Sequence, residues 1–317
     1  MKAASESCPR SPSVSLIGAP SDAGAGGIGA CMGPDALRVA QLGPALESLG
    51  IQVTDLGNLT GPPNPRGPRD KTYALHNLAE CTRWSRAVFD TVLKELANEK
   101  LPLLLGGDHH LALGSVSAVA RHCREDGKHL RVLWLDAHAD CNTPEISPSG
   151  NVHGIPVACL HGLGPEQLIT MGGSPPALAS GELKLIGLRS VDDAEKQMLH
   201  ALNIEAYDMR LIDELGMYKV MRRALRDVRQ GNVHLHVSFD VDFLDPSIAP
   251  GTGTTVRGGP DYREAQLCME MIAESGCLGS LDVVELNPAL DAGNQTAELV
   301  VELIQSLFGK TTLLRSV

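Results

Sequence analysis

Short apolar runs alternate with amphipathic stretches along almost the whole chain. The apolar runs predict eight strands, at 14–19, 51–56, 101–105, 132–135, 183–188, 204–207, 235–239 and 281–284. Helical periodicity predicts a helix that opens at Gly33 and Pro34, and further helices at 72–97, 110–123, 192–201, 214–228, 262–275 and 295–308. Because strands alternate with helices, we expect an α/β fold of three layers, with a mainly parallel central sheet between two layers of helices.

The chain contains no internal repeat and no linker that would divide it. Residues 58–70 and 162–181 are rich in glycine and proline and are interpreted as surface loops. We therefore predict a single domain over residues 1–317, with residues 1–12 as an N-terminal tail.

The charge balance limits the classes of partner. The chain has 38 acidic against 27 basic residues and a formal net charge of −11. Such a chain is repelled by nucleic acid and by anionic membranes, whereas a small cationic substrate is favoured. We accordingly expect neither nucleic acid nor a membrane as a partner.

The cysteines and the N-terminal residues indicate a reducing compartment. Eight cysteines are scattered singly, and none forms a CxxC pair, which argues against a thiolate zinc site. The first residues lack the apolar stretch of a signal peptide, and no apolar run is long enough to span a membrane. A cytoplasmic protein with reduced thiols is the expectation.

Polar clusters follow five of the predicted strands. They begin at Gly106, Asp136, Arg189, Asp240 and Glu285. Because ligands bind at the carboxyl ends of strands in open parallel sheets, these clusters are expected to meet at one edge of the sheet. Singly, such residues are typical of capped turns: Asp108 could cap the following helix, and Asp245-Pro246 could open a turn.

Two of these clusters alternate residues that bind metals. Asp136, His138 and Asp140 share one side of an extended chain, as do Asp240 and Asp242, provided that the first run bends near Ala139. With His109, the ligand set comprises two imidazoles and four carboxylates: His109, Asp136, His138, Asp140, Asp240 and Asp242. An oxygen-rich set favours Mn²⁺, while Co²⁺, Ni²⁺ and Zn²⁺ remain possible substitutes. Two such ions close together can activate a water molecule as a nucleophile.

These motifs resemble those of the ureohydrolases, a family that includes arginases, agmatinases, formiminoglutamases and guanidino-acid hydrolases. The likeness rests on 106–109, 136–140 and 238–246, and extends from about residue 17 to about residue 307. It implies an arginase-like α/β fold, a pair of Mn²⁺ ions, hydrolysis of a guanidinium group to urea and an amine, and a homo-oligomer, either a trimer or a hexamer.

The resemblance also implies the metal ligands. One ion would be bound by His109, Asp136, Asp140 and Asp240, and the second by Asp136, His138, Asp240 and Asp242. Asp136 and Asp240 would then bridge the two ions. We predict a catalytic role for Asp140 in addition to its role as a metal ligand.

The loop 140–154 is most similar to that of an arginase, which cleaves L-arginine to L-ornithine and urea. The resemblance implies that Asn142, Ser147 and Ser149 recognise the α-carboxylate, with Asn151 in the same substrate-binding set. It implies that Asp192 and Glu195 bind the α-ammonium group. His153 would be the proton-shuttling catalytic residue, and Glu285 would pair with the guanidinium, as a carboxylate can do with two hydrogen bonds.

Other functions remain open at this point. They are an agmatinase or guanidino-acid ureohydrolase, a non-catalytic arginine- or metal-binding protein, and a single-zinc deacetylase of related fold. Two residues depart from the arginase pattern: Ser190 stands where many arginases have Asp, and His110 stands where Ser is usual. Neither departure removes a metal ligand, but both could alter contacts around the metals or the substrate.

Overall fold

The computed structural model describes residues 13–64, 70–228 and 232–313. All eight predicted strands are present, each with ends within three residues of the prediction: Ser13–Ala19 (β1), Gln52–Asn58 (β2), Leu101–Gly106 (β3), His129–Leu135 (β4), Leu183–Leu188 (β5), Glu205–Asp208 (β6), Val233–Asp240 (β7) and Leu278–Val284 (β8). The α-helices of the described residues are Gly33–Val39 (α1), Leu42–Glu47 (α2), Leu78–Ala97 (α3), Ala112–Asp126 (α4), Pro156–Leu160 (α5), Glu166–Ile169 (α6), Asp193–Ala201 (α7), Met209–Leu215 (α8), Met217–Ala224 (α9), Tyr262–Ser275 (α10) and Gln295–Leu307 (α11).

The strands form one eight-stranded sheet in the order β2-β1-β3-β8-β7-β4-β5-β6. Every paired strand is parallel to its neighbour. The central strands are almost continuously apolar, as strands covered on both faces should be, and β3 is buried along its whole length. The predicted parallel sheet is confirmed.

Successive residues of each central strand pack into different layers. Leu103 points toward a core formed with α1, α2 and α8–α11, whereas Leu104 points toward a core formed with α3–α7. Leu16 and Ile17 of β1 divide in the same way, because neighbouring side chains of a strand lie on opposite faces. The result is the predicted three-layer α/β/α fold.

Two predicted helices have different bounds in the structure. The helix predicted at 72–97 begins only at Leu78, because Ala74 and Asn77 adopt left-handed backbone conformations with φ of 55° and 49°. The single helix predicted at 214–228 is wrong: Gly216, with φ of 82°, separates α8 from α9. A glycine at the end of a helix readily takes positive φ, so the chain turns there.

The described strands all join one sheet, as a single domain over 1–317 would require. Residues 65–69 of the predicted loop 58–70 and the predicted tail 1–12 lie outside the described residues. The loop predicted at 162–181 contains only the short helix α6. No described helix is both long enough and apolar enough to cross a membrane. The seven cysteines within the described ranges are all free thiols.

Candidate metal centre

The predicted metal ligands and Glu285 lie at the ends of four strands that are neighbours in the sheet, β3, β8, β7 and β4. A short 3₁₀ turn, His109–Leu111, follows β3, and a second, Val241–Phe243, follows β7. Asp136 comes immediately after β4, and Glu285 immediately after β8. Since parallel strands end at the same edge, these four chain segments bring their polar side chains together there.

Three carboxylates converge on one imidazole nitrogen. The Nδ1 atom of His109 lies 3.1 Å from a side-chain oxygen of Asp136, Asp140 and Asp240 alike. All four side chains are buried, and within the described residues Nδ1 has no hydrogen-bond partner of acceptable geometry. Three anionic oxygens around a buried, unpaired nitrogen are what a divalent cation would satisfy, so the residues present fit a metal ion.

The other nitrogen of His109 is fixed by a second contact. Its Nε2 lies 2.9 Å from Oγ of Ser238, which sits on β7. When a histidine binds a metal through one nitrogen, a hydrogen bond at the other nitrogen selects the tautomer and the ring orientation. Ser238 therefore leaves Nδ1 of His109 directed at the carboxylates.

A second ligand group shares Asp136 with the first. Nδ1 of His138 lies 3.0 Å from Oδ2 of Asp242 and 3.5 Å from Oδ1 of Asp136. The two oxygens of Asp136 thus face different imidazoles, as a bridging carboxylate would. Asp240 has one oxygen in the first group, while its Oδ1 accepts the backbone N–H of Asp242 at 2.7 Å. The bridging roles of Asp136 and Asp240 stay predictions.

Crowding of the carboxylates alters their acidity. Burial, together with the charge of Asp136, raises the pKa of Asp140 to about 6. Burial and the neighbouring carboxylates also raise the pKa of Asp240 and of Asp242. Burial opposes ionisation of Asp136 too, but the adjacent imidazoles of His109 and His138 outweigh it and lower the pKa of Asp136. Cations would relieve the repulsion among these four groups.

The backbone bends sharply at two of the site residues. Asp140 has φ of 49° and Glu285 has φ of 63°, both in the left-handed region that residues other than glycine seldom adopt. The bend that we predicted near Ala139 occurs at Asp140, which returns its carboxylate to His109. The extended chain predicted for Asp240 and Asp242 is wrong, because Val241–Phe243 forms a 3₁₀ turn.

His153 and Glu285 form a pair beside the ligands. Oε1 of Glu285 lies 3.0 Å from Nδ1 of His153 and also accepts the backbone N–H of His109 at 2.9 Å. Burial by itself would lower the pKa of His153, but the hydrogen bond and charge of Glu285 raise it to about 9. Both of these hydrogen bonds use Oε1, and within the described residues Oε2 of Glu285 has no hydrogen-bond partner. Glu285 also lines the cavity at the site.

That cavity has a volume of about 200 Å³ and is strongly acidic. Its lining includes four of the predicted substrate-binding residues, Asn142, Asp192, Glu195 and Glu285. Asn142 donates through Nδ2 to Oδ2 of Asp192 at 3.3 Å, and its buried Oδ1 lacks a hydrogen-bond partner among the described residues.

Asp192 and Glu195 also have a structural role at the start of α7. Asp192 accepts the backbone N–H groups of Ala194 and Glu195, and Glu195 accepts that of Asp192, which completes a capping box. Glu195 further accepts the N–H of Cys141 at 3.1 Å. Burial raises the pKa of Glu195 to about 7. These bonds fix both carboxylates against the loop that contains Asp140, one of the predicted ligands.

The other predicted substrate-binding residues lie in the loop that leads to His153. Oγ of Ser147 accepts the N–H of Gly150 at 3.0 Å, and Oγ of Ser149 accepts the N–H of Asn151 at 3.2 Å. Ser147, Ser149 and Asn151 are absent from the described lining of the cavity. Their predicted contact with an α-carboxylate therefore stays a prediction, and the observed bonds shape the loop.

The sequence reasoning missed two residues that contact the ligands. Trp134 stacks on the ring of His109, and its Nε1 donates to Oδ2 of Asp136 at 2.9 Å. Its position two residues before Asp136 on a strand could have suggested this contact. Thr254 lines the cavity and donates to Oδ2 of Asp242 at 2.9 Å, and nothing in its sequence context indicated that role.

The two departures from the arginase pattern also lie close to the site. Ser190 lines the cavity, and its backbone N–H donates to the carbonyl of Ala137, which links β5 to the segment of His138. His110 is completely buried and contacts Asp108. Neither residue displaces a predicted ligand.

Comparison with known proteins agrees with this geometry. Residues 12–309 match the family model described as the arginase family. The chain is 44% identical to the arginase of Brucella melitensis biotype 1 over 299 residues, which cover 94% of this chain and 96% of that protein.

Solved structures give the same result. The crystal structure of arginase from Bacillus subtilis superposes with a TM-score of 0.87 at 39% identity, covering 95% of this chain and 100% of that one. Native arginase from Bacillus caldovelox, at pH 5.6, gives a TM-score of 0.88 at 39% identity, covering 96% and 100%. The family model spans nearly the whole chain and the relatives match over nearly their full lengths, so this chain belongs to the arginase family.

Proposed function

We propose that this protein is an arginase, which hydrolyses the guanidinium group of L-arginine to L-ornithine and urea. Family membership makes it a metal-dependent amidinohydrolase. The observation that supports the proposal most is the convergence of three buried carboxylates on Nδ1 of His109, next to a second group that shares Asp136. A binding protein without catalysis would not require the adjoining His153–Glu285 pair.

Two Mn²⁺ ions are the proposed cofactor, with Co²⁺, Ni²⁺ or Zn²⁺ as possible substitutes. The ligands would be His109, Asp136, Asp140 and Asp240 for one ion, and Asp136, His138, Asp240 and Asp242 for the other. Carboxylates in excess over imidazoles favour Mn²⁺ over metals that prefer thiolates. When bound, a pair of divalent ions makes water nucleophilic at neutral pH and stabilises developing negative charge.

Glu285 is the proposed anchor for the guanidinium group. Its Oε1 is fixed by His109 and His153, while Oε2 has no partner among the described residues and is available to a ligand in the cavity. A buried carboxylate binds a planar guanidinium through charge-assisted hydrogen bonds. Glu285 would thereby hold the central carbon of the substrate beside the ligand cluster and away from bulk water.

Asn142, Asp192 and Glu195 are proposed to bind the amino-acid end of the substrate. All three line the same cavity as Glu285. The amide of Asn142 can donate to an α-carboxylate, and the two carboxylates can accept from an α-ammonium group. Ser147, Ser149 and Asn151 are proposed to complete the contact with the α-carboxylate from the adjoining loop. Agmatine lacks that carboxylate, so this set favours L-arginine.

His153 is proposed to return a proton to the departing amine. It lines the cavity beside Asp140 and is hydrogen-bonded to Glu285 through Nδ1. The hydrogen bond and charge of Glu285 raise the pKa of His153 to about 9, which favours the protonated imidazole that can act as an acid. The same pairing would keep the acid next to the guanidinium that Glu285 binds.

We also propose a cytoplasmic homo-oligomer, a trimer or a hexamer, built from one domain per chain. The family resemblance supports the oligomer, the scattered single cysteines support the reducing cytoplasm, and the single sheet of the described residues supports one domain per chain. The acidic cavity supports a small cationic guanidino compound as the substrate.

The test is urea and ornithine release from L-arginine by protein stripped with a chelator and then reloaded with Mn²⁺. We expect activity only after reloading, with about two ions bound per chain. Asp136→Asn should lose both bound ions and activity, whereas Asp193→Asn, at an exposed carboxylate of α7, should lose neither. Urea release that persists in the chelator-treated protein would contradict the proposal.

A further inference from the structure

A buried pair of side chains lies directly behind the ligand His109. Nδ1 of His110 is hydrogen-bonded to Oδ1 of Asp108, and the backbone N–H of His110 donates to the same oxygen at 3.0 Å. Both side chains are completely buried. Neither belongs to the described lining of the active-site cavity, so neither contacts a substrate there.

The second oxygen of Asp108 reaches a different segment of the chain. Oδ2 accepts the backbone N–H of Gly24 at 2.9 Å, and the carbonyl of Gly24 accepts the backbone N–H of His153 at 3.1 Å. A Cβ on Gly24 would come within 2.8 Å of Oδ1 of Asp108 and 2.9 Å of Nδ1 of His110. The loop at Gly24 therefore packs directly on the pair and connects it to His153.

The same strand end also fixes the partner of His153. Glu285 donates its backbone N–H to the carbonyl of Gly107 at 2.7 Å, and its side chain accepts the N–H of His109. Residues 107–110 thus support both members of the pair: Glu285 directly, and His153 through Asp108 and Gly24. This one segment therefore contacts the support of both His153 and Glu285.

We infer that His110 is a positioning residue for His153. Its Nδ1 orients Asp108, whose other oxygen holds Gly24 against the backbone of His153. This inference rests on the proposed function, since it serves the proton transfer assigned to His153. A displacement of about 1 Å at a reacting group can reduce a rate by about 10²-fold, so a contact behind the site can govern turnover.

The geometry of the side chains supplies matched variants. The side-chain amide nitrogen of asparagine is as many bonds from Cβ as Nδ1 of histidine, so His110→Asn keeps a donor for Asp108. His110→Ala removes that donor, and His110→Gln moves it one bond further out. His161→Ala is the control, because Nδ1 of His161 contacts the carbonyl of Val157 in its own helical segment.

The experiment is steady-state urea release from L-arginine by each Mn²⁺-loaded variant, with metal content measured on the same samples. We expect His110→Ala and His110→Gln to lower kcat by about 10- to 100-fold with KM and metal content nearly unchanged. His110→Asn should recover kcat to within about threefold of the unmodified protein, and His161→Ala should match it. A purely structural role would not separate kcat from KM in this way.

Gly24→Ala provides the second test if His110→Ala does not fold or does not retain its metals. The new methyl group would press on Asp108 and His110 and displace the loop from His153, so kcat should fall although every side chain of the pair is intact. Equal kcat values in His110→Asn, His110→Gln and His110→Ala, or an unchanged kcat in Gly24→Ala, would overturn the inference. Absence of urea release by the unmodified protein would instead overturn the proposed function.

Discussion

The indole ring of Trp134 lies on the imidazole of His109, with ring centroids 4.1 Å apart and planes inclined by 14°. The same indole donates its N–H to Oδ2 of Asp136 at 2.9 Å. One buried side chain of β4 thus fixes the orientation of an imidazole ligand and of the carboxylate shared by both ligand groups. Preorganisation of this kind determines how well ligand atoms are placed for a metal.

Trp134→Phe should weaken divalent metal binding while leaving the fold intact. Phenylalanine keeps an aromatic ring against His109 but cannot donate to Asp136, so that carboxylate loses its orientation. We expect the Kd for Mn²⁺ to rise by about 10- to 100-fold, as measured by titration calorimetry on the metal-free protein. The control is Trp84→Phe, whose indole donates to the carbonyl of Pro62. An equal Kd for Mn²⁺ in the two variants would show that the hydrogen bond from Trp134 to Asp136 has no effect on metal binding.

His153→Ala should retain metals and lose turnover. The variant removes the proposed proton donor but no proposed ligand, so bound Mn²⁺ should stay at the level of the unmodified protein. Acid catalysis by a positioned side chain contributes at least about 10²-fold, and kcat should fall by about that factor. Metal analysis and rates from about pH 6 to about pH 10, a range that includes the raised pKa of His153, test this expectation. Unchanged kcat across that range would exclude a proton-shuttling role.

Asn142→Ala should weaken the binding of L-arginine through its amino-acid end and leave the reaction at its guanidinium end unchanged. If Asn142 binds the α-carboxylate, the variant loses a hydrogen bond to a charged group, which contributes about 1.5–3 kcal/mol. KM for L-arginine should then rise by about 10- to 100-fold with kcat nearly unchanged. Any residual activity on agmatine, which has no α-carboxylate, should not change. An equal effect on both substrates would assign Asn142 to the structure of its loop.

The loss of folding stability at acid pH should depend in part on His234, which is not one of the residues of the metal centre. His234 is buried on β7 beside Ser280, and burial, with the charges of His236, His122 and Lys128, lowers its pKa to about 3. The unfolded chain binds this proton near pH 6.5, so the free energy of unfolding falls as pH decreases from about 6.5 toward 3.

His234→Gln should remove that contribution, because glutamine can still bond Ser280 but does not titrate. In urea titrations between pH 4 and pH 7, the stability of the variant should fall less steeply, by up to about 1.4 kcal/mol per pH unit. Above pH 7 the two proteins should show the same pH dependence. Parallel curves throughout the acid range would mean that His234 binds its proton in the folded state.

The strand pattern was the strongest signal in the sequence. Continuous apolar runs such as 101–105 correspond to strands that are covered on both faces, so their positions and the end of the sheet that binds ligands could be predicted. Helix ends were less predictable, because the left-handed residues Ala74 and Asn77 and the break at Gly216 depend on local backbone geometry that periodicity does not report.

The convergence of the predicted ligands could be foreseen because their residue types and spacing are specific. The side chains that support them could not be foreseen. Trp134 and Thr254 contact Asp136 and Asp242 through single hydrogen bonds that depend on the packing of separate segments. The left-handed backbone conformations of Asp140 and Glu285 also depend on the surrounding structure. Packing around a functional site can hold residues in such unfavourable conformations.

The most direct test of the proposed function compares L-arginine with agmatine as substrates of the Mn²⁺-loaded protein. Asn142 lies in the cavity with Glu285, so L-arginine should be preferred in kcat/KM by a factor of about 10² or more, since agmatine keeps the amino group but lacks the carboxylate that Asn142 is proposed to bind. Urea from agmatine at an equal or higher rate would contradict this assignment of Asn142 and indicate a ureohydrolase for another guanidino compound.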